Sequence, residues 1–332
     1  MMKYIFFGSS EFAKIVLEKL LQNNLKPVLV VTKPPKPKGR KQTLTSSPVQ
    51  IFAEQEKVSC LMPTNLNDEN FIQTIKNLQP DFILLTAYGK IIPSTLLKLP
   101  SKGFINLHPS LLPKWRGATP IQSTILAGDK ETGVTLFLMD EQIDHGPTIA
   151  NSKLPITNYQ ITYFECSEKK GSPKRSEGGS YSELSEKLAN LGAKLVIETL
   201  PQWLEDKITP LPQDESLSTY CHKITSEDEK INWQTSAEEI DKKVRALNPN
   251  PGVFTIAQEK IIKIIKGFPA IDSELSITKQ IGEVFECEKK MAIKCNSGFY
   301  IIEKLKPAGK DTMTSESFLN GNQWIKNYII SD

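Results

Sequence analysis

The sequence has little of what staples a chain or holds a metal. Five cysteines occur in 332 residues (Cys60, Cys166, Cys221, Cys287, Cys295), odd in number and without a CxxC pair. That pattern argues against a disulfide framework and for free thiols in a reducing compartment. Three scattered histidines supply no ligand set, so no metal is expected. No stretch approaches the ~20 apolar residues of a membrane span. The apolar run Tyr4–Phe7 stops at Gly8-Ser9-Ser10-Glu11, too short for a secretory signal. No membrane partner is expected, and the chain is expected in the cytoplasm. A formal charge of +3 leaves only local clusters of charge to point to a partner. The glycine fingerprint of dinucleotide sites is also missing, because Ser10 occupies its second glycine position, which disfavours nicotinamide or flavin.

What is present is an ordinary globular composition, 39% hydrophobic and 24% charged, in a chain long enough for two domains. Strand-like runs at Lys3–Phe7, Pro27–Thr32, Val58–Leu61, Asp81–Thr86, Gly103–Leu107 and Val134–Met139 alternate with helical patterns. Those patterns cover Glu11–Gln22, Pro48–Gln55, Asn67–Asn77 and Pro120–Ala127. Phe82-Ile83-Leu84-Leu85 is apolar on both faces, as central strands of a parallel sheet are. The β-α alternation predicts a doubly wound α/β domain. A polar, aperiodic stretch, 164–182, reads as an inserted surface loop, and a helix follows over Tyr181–Glu205. The expected layout is a catalytic domain over 1–205, a linker over 206–215 and a second domain over 216–332. Within the second domain a helix (Ser236–Leu247) precedes short alternating runs, which predict a small β-barrel of the oligonucleotide-binding (OB) type.

The chemistry concentrates in Gly103-Phe-Ile-Asn-Leu-His-Pro-Ser-Leu-Leu-Pro-Lys-Trp-Arg-Gly-Ala. Asn106 and His108 are two apart in an extended run, so they share one strand face near its C-terminal end. Open α/β sheets bind ligands at that end. Further on, Leu138-Met-Asp-Glu-Gln-Ile-Asp-His-Gly-Pro places Asp140 and Asp144 in a loop. An amide, an imidazole and a carboxylate in one cleft suit acyl transfer to an amine, with donors for an oxyanion and a group to relay a proton. Either acid fits that role on residue type alone. The glycine two residues after Asp144 favours Asp144, leaving Asp140 to support the loop. His145 and His222 are expected to be ordinary surface or satisfied histidines.

At these residues the chain resembles the folate-dependent formyltransferases. The resemblance is carried by Asn106-Leu-His-Pro-Ser-Leu-Leu-Pro, Trp115-Arg-Gly-Ala, Gly133-Val-Thr and Asp144-x-Gly. It continues through Thr119-Pro-Ile-Gln, Ala127-Gly-Asp, Lys223-Ile and Arg245-Ala-Leu-Asn-Pro, covering most of the chain. It implies a Rossmann-like α/β formyltransferase domain with a parallel-rich sheet, followed by a small β-barrel. It also implies Asn106, His108 and Asp144 as the catalytic trio, and Ser110, Leu111, Leu112 and Pro113 as the folate-binding loop. Thr86-Ala-Tyr-Gly-Lys-Ile-Ile-Pro would help wall the pterin pocket. The co-substrate implied is 10-formyltetrahydrofolate.

Related catalytic domains formylate a purine precursor or a sugar nucleotide, or hydrolyse formyl-folate. Two features select among the acceptors. Lys33, Lys36, Lys38, Arg40 and Lys41 lie within nine positions, with no acid among them and with prolines and a glycine to keep them out of regular structure. The tRNA-specific branch carries a basic loop here, and these side chains would neutralise acceptor-stem phosphates. The second domain has the size that branch uses for tRNA, and it holds Lys260, Lys263, Lys266, Lys289, Lys290, Lys294, Lys304 and Lys306. The resemblance therefore implies formylation of methionyl initiator tRNA for translation initiation, by a monomer. A competing expectation is a non-enzymatic RNA-binding protein on a decayed scaffold, against which the intact trio argues. Departures from the family pattern are Ser123, His145 and Pro147, Asn250, and the 164–182 insertion. Of these, His145 is expected to set a second imidazole beside Asp144.

Overall fold

The computed structural model describes residues 2–38, 42–156, 179–271 and 278–330, without the side chain of Lys38. The chain forms two units. Unit 1 gathers 1–120, 131–155 and 185–222, and unit 2 gathers 121–130, 156–184 and 223–332.

Unit 1 is built on strands β1 (Tyr4–Gly8), β2 (Leu29–Val31), β5 (Cys60–Leu61), β6 (Phe82–Thr86), β7 (Phe104–His108), β9 (Glu131–Leu138) and β10 (Thr148–Pro155). They form one sheet in the order β10-β9-β7-β6-β1-β2-β5. The five strands from β7 to β5 are parallel, and β9 and β10 extend the sheet antiparallel. Two smaller ribbons complete the set: β3 (Lys36–Lys38) with β4 (Thr43–Thr45), and β8 (Arg116–Gly117) with β11 (Tyr220–Cys221). Three helix starts have a local cause. Ser10, Ser47 and Asp68 cap α1 (Glu11–Gln22), α2 (Pro48–Gln55) and α3 (Glu69–Leu78) by accepting from the backbone three residues on. A single turn, α4 (Ser94–Leu97), follows β6, and α5 (Pro120–Ala127) precedes β9.

β1, β6 and β7 are buried at every position, which is why their sequences show no alternation. Phe7 stands at the centre of one face, edge-on to Tyr88 and Phe104 with ring centroids 5.3 and 5.5 Å away. A buried side chain of that size contributes about 1.5–3 kcal/mol. The three strands end at Gly8, Thr86 and His108, so the loops that follow share one sheet edge. Helix α6 (Tyr181–Leu204) packs Gly192 against Leu107, where an added Cβ would come within 2.7 Å of the leucine.

Unit 2 holds an antiparallel sheet of β12 (Val253–Ala257), β13 (Lys260–Ala270), β14 (Val284–Cys287), β15 (Lys290–Lys294) and β16 (Phe299–Pro307) in the order β12-β13-β16-β15-β14. β17 (Met313–Thr314) adds to β16. β13 is bulged around Lys266, which bends it. Helix α8 (Ala237–Leu247) starts from a capping box made by Ser236 and Glu239 and buries Ile240, Val244 and Leu247. The short helices α7 (Ser226–Glu229) and α9 (Ser315–Gly321) complete the unit.

Several expectations need correction. Part of the basic segment does form regular structure: Lys36 pairs with Thr45 and Lys38 with Thr43, since a two-stranded ribbon tolerates Pro37 at an edge. Within the expected linker 206–215 the chain still pairs with unit 1. Leu211 bridges Thr148 by two backbone hydrogen bonds, and the chain leaves unit 1 only after His222. Of the five cysteines, Cys60, Cys221 and Cys295 are free thiols, and Cys166 lies outside the described residues. Residues 164–178 of the expected insertion also lie outside the described residues.

Candidate active site

Asn106 and His108 lie on β7 and both are buried, at 8% and 4% exposure. The loop between β9 and β10 returns beside them, because Met139 N–H donates to Phe104 O and Leu138 N–H to Pro147 O. This brings in Asp144. Its Oδ1 accepts from Asn106 Nδ2 at 3.4 Å, and its Oδ2 accepts from Gly117 N–H at 2.8 Å. His108 Nδ1 stands 3.6 Å from the same Oδ2, an ion-pair distance longer than a hydrogen bond. On its other side, His108 Nε2 lies 2.9 Å from the carbonyl of Trp115. A carbonyl only accepts, so Nε2 carries a hydrogen and Nδ1 is the nitrogen turned to Asp144. The amide, imidazole and carboxylate therefore meet, although Asp144 comes from a separate stretch of chain.

The segment Ser110–Pro113 is pinned to β9. Thr135 Oγ1 donates to Ser110 O at 2.7 Å and accepts from Leu112 N–H at 3.1 Å. Ser110 is buried, and its hydroxyl donates to Lys114 O at 2.5 Å, so it shapes its own loop. Leu111 lies on Gly133, where a Cβ would come within 2.5 Å of Leu111 Cδ2. Leu112, Pro113 and Trp115 remain half-buried. In the 86–93 segment Tyr88 is fully buried against Phe7, and burial pushes its hydroxyl up to about 12.

Asp140 and His145 pair with each other. His145 Nδ1 is 2.6 Å from Asp140 Oδ2, and Asp140 Oδ1 accepts from Gln142 N–H at 2.9 Å. His145 thus bonds Asp140 and, at 3.5 Å, Glu215, contrary to the expectation of an imidazole set against Asp144. The backbone explains the difference: Asp144 adopts a left-handed φ of +50°, which turns successive side chains to different sides.

Sequence reasoning assigns no role to a second layer of residues. Arg116 has no exposed surface and forms a fork with Glu215, Nη1 to Oε2 at 2.9 Å and Nη2 to Oε1 at 2.6 Å. Those bonds raise the guanidinium further and hold the Glu215 carboxyl below its usual range. Gln213, Thr219 and Tyr220 also converge here. Thr219 Oγ1 accepts from Trp115 N–H at 2.9 Å, and its backbone carbonyl accepts from Arg116 N–H at 2.8 Å. The signal available in the sequence is Arg116 itself, embedded in the Trp115-Arg-Gly motif. Its partners about 100 residues downstream have none.

Of the basic residues, Lys33 is half-buried, with its backbone N–H on Ser9 Oγ at 3.2 Å and its ammonium over Gly89. Lys36 is exposed. Its charge and, above it, burial lower Lys90, whose ammonium donates to Pro63 O and Thr64 O at 2.9 Å each. Arg40 and Lys41 lie outside the described residues, as does the side chain of Lys38. In unit 2, Lys294 is buried, Lys266 pairs with Glu303 at 2.9 Å, and Lys260 and Lys290 lie over the rings of Trp324 and Phe268. Among the described residues no group of three or more acid, His or Cys side chains could hold a metal, and no helix is long and apolar enough to cross a membrane.

Known proteins resemble this chain in sequence and in fold. Residues 2–172 match the formyl transferase family, and residues 223–323 match the formyl transferase C-terminal domain. The methionyl-tRNA formyltransferase of Dictyoglomus thermophilum is 39% identical over 324 residues, 96% of this chain and 97% of that protein. The enzyme of the same name from Campylobacter jejuni subsp. jejuni is 40% identical over 327 residues, 97% of each chain. Solved structures share the fold at lower identity. HypX of Aquifex aeolicus in complex with tetrahydrofolic acid gives a TM-score of 0.63 at 16% identity, covering 98% of this chain and 48% of that one. The N-formyltransferase of Helicobacter canadensis, solved with folinic acid and dTDP-3-aminofucose, gives 0.62 at 21%, covering 91% and 98%. Methionyl-tRNA formyltransferase from Clostridium thermocellum gives 0.51 at 17%, covering 80% and 93%. This chain belongs to the formyl transferase family.

Proposed function

We propose that the chain transfers the formyl group of 10-formyltetrahydrofolate to the α-amino group of methionyl initiator tRNA for translation initiation, as a cytoplasmic monomer that uses no metal. The observation that carries this reading is the convergence of Asn106, His108 and Asp144, in a chain alignable nearly end to end with relatives of that activity. The Ser110–Pro113 loop and the 86–93 segment are the folate-binding candidates. The hairpin around Lys36, with Lys33, Lys38, Arg40 and Lys41, is the candidate for tRNA phosphates, and the β-domain of unit 2 supports the same substrate.

In the proposed reaction the neutral amine of the methionyl group attacks the formyl carbon. A C–N bond forms and the carbonyl electrons move onto oxygen. Asn106 Nδ2 carries two hydrogens and gives one to Asp144, leaving the other for the oxyanion. His108 Nε2 is held by Trp115 O, so protons enter and leave through Nδ1, beside Asp144. The proton lost by the attacking nitrogen reaches the folate nitrogen as the old C–N bond breaks. Asp144 holds the Asn106 amide and steadies the positive charge that develops on the imidazole.

The test is incubation with 10-formyltetrahydrofolate and charged initiator tRNA, followed by recovery of formylmethionine. Parallel reactions contain glycinamide ribonucleotide, an amino-sugar nucleotide, or water alone. Formyl transfer to tRNA alone is the expected result. Transfer to either small acceptor in preference to tRNA, or hydrolysis alone, would overturn it.

A further inference from the structure

We propose that Gln213 is a positioning residue for the transfer, holding the loop that carries Asp144, and that Arg116 sets which way its amide faces. The inference rests on the reading of Asn106, His108 and Asp144 as the reacting trio. Gln213 Nε2 donates to two carbonyls of that loop, Asp144 O at 2.9 Å and Gly146 O at 2.8 Å. Its Oε1 accepts from Arg116 Nε at 3.1 Å and from Arg116 Nη2 at 2.8 Å. A guanidinium has no acceptor and a carbonyl has no donor, so the amide fits in one orientation only.

Arg116 cannot easily turn away. Its five N–H groups are used by Gln213 twice, Glu215 twice and Tyr220 Oη once, the last at 3.2 Å, and the side chain is wholly buried. Any rotation leaves a charged donor unpaired away from water. Across the amide, the loop needs holding. Asp144 has φ +50°, a conformation that residues with a Cβ adopt rarely. Gly146 is pressed on its neighbour so closely that a Cβ would strike Leu138 O. The direction of the Asp144 carboxylate toward Asn106, Gly117 N–H and His108 follows from that backbone. Both donors and both lone pairs of the Gln213 amide are used within the protein, so it acts through Asp144 and not on a substrate.

Gln213→Glu separates this role from simple space-filling. Glutamate matches glutamine in shape and still accepts from Arg116, but it offers no N–H to the two carbonyls. A misplacement of about 1 Å at a reacting group costs on the order of 10²-fold. Turnover of Gln213→Glu is therefore expected to fall about 10- to 100-fold, with KM for 10-formyltetrahydrofolate and for methionyl-tRNA within about threefold of the starting protein. Gln213→Met keeps the length without a polar atom, leaves the Arg116–Glu215 pair whole, and should show the same split. It takes the place of the glutamate variant if that one folds poorly. Near-normal kcat in a folded Gln213→Glu or Gln213→Met protein, or a rise in KM at unchanged kcat, overturns the inference. Asn106→Ala, measured alongside, separates the two readings. If Asn106→Ala also turns over normally, the trio itself is wrong. If only the Gln213 variants do, the trio stands and the positioning role falls.

Discussion

The floor of the candidate site and the cationic hairpin of unit 1 use polar residues in opposite ways. Around Asp144 the named groups are buried or half-buried and each is held at a fixed distance by another: Asn106, Gly117 N–H, His108, then Gln213 and Arg116 behind. On the two-stranded ribbon of β3 and β4, Lys36 and Leu44 face solvent. Forming and breaking bonds at one carbonyl needs positions good to a fraction of an ångström. Attracting a polyanion needs charge within reach and little else. Substitutions at the floor should therefore lower turnover, and those on the hairpin should weaken substrate capture.

The largest effect is expected at the trio. Asn106→Ala removes one oxyanion donor and should lower kcat about 10²–10³-fold. His108→Ala and Asp144→Ala should be at least as severe, read by single-turnover formylation with folding checked by circular dichroism. Near-normal turnover in a folded Asp144→Ala protein would remove the acid from the mechanism. Next comes Gly146→Ala, whose Cβ meets the Leu138 carbonyl. It should cost about 1–3 kcal/mol in denaturant unfolding and reduce turnover along with stability. An unaltered unfolding midpoint would show that the loop can yield. Asp140→Asn sharpens the contrast between the two acids of one loop. It loses only a half-exposed pair with His145, worth roughly 0.2–1 kcal/mol, and should leave kcat almost unchanged. A loss equal to that of Asp144→Ala would assign the acid role to Asp140.

In the basic segment, Lys36→Ala, Arg40→Ala and Lys41→Ala should each raise KM for tRNA and reduce the slope of log KM against log salt by about one unit, leaving folate KM unchanged. Unchanged tRNA affinity would separate the basic segment from the substrate. The smallest effect is expected in acid. Arg116 holds Glu215 below the usual carboxylate range, so the contribution of Glu215 to stability is whole above about pH 4.3 and is lost as pH falls through its lower folded value. Glu215→Gln should flatten the corresponding stretch of the acid unfolding curve. An identical curve would show that the pair stabilises nothing.

Much of this is legible in the amino acids. Asn106 and His108 are local partners on one strand, and period-two geometry places them on one face without tertiary information. The expected helices over Glu11–Gln22, Pro48–Gln55 and Pro120–Ala127 carry their own start signals or periodicity and appear with those bounds. Strand β10 has no such signal, because Thr148–Pro155 alternates weakly and draws its stability from pairing with β9. The basic segment reads as irregular because prolines mark turns more often than edge strands. Sequence adjacency pairs His145 with the wrong acid, since neighbours along the chain are not neighbours in space when the residue between them turns left-handed. Arg116 stands in a motif, but the partners that give it a purpose come from Gln213 to Tyr220, and no local pattern announces them.

The order of residues alone determined the α/β alternation, the capped helices, the fully apolar central strands and the amide–imidazole pair at the end of β7. These depend on neighbours within a few positions, where backbone geometry converts spacing directly into direction. Only the folded chain decided that His145 turns to Asp140, and that Gln213 and Arg116 stand behind Asp144. Such choices rest on donors and acceptors brought together from stretches far apart, and their energies exist only once water has been excluded between them.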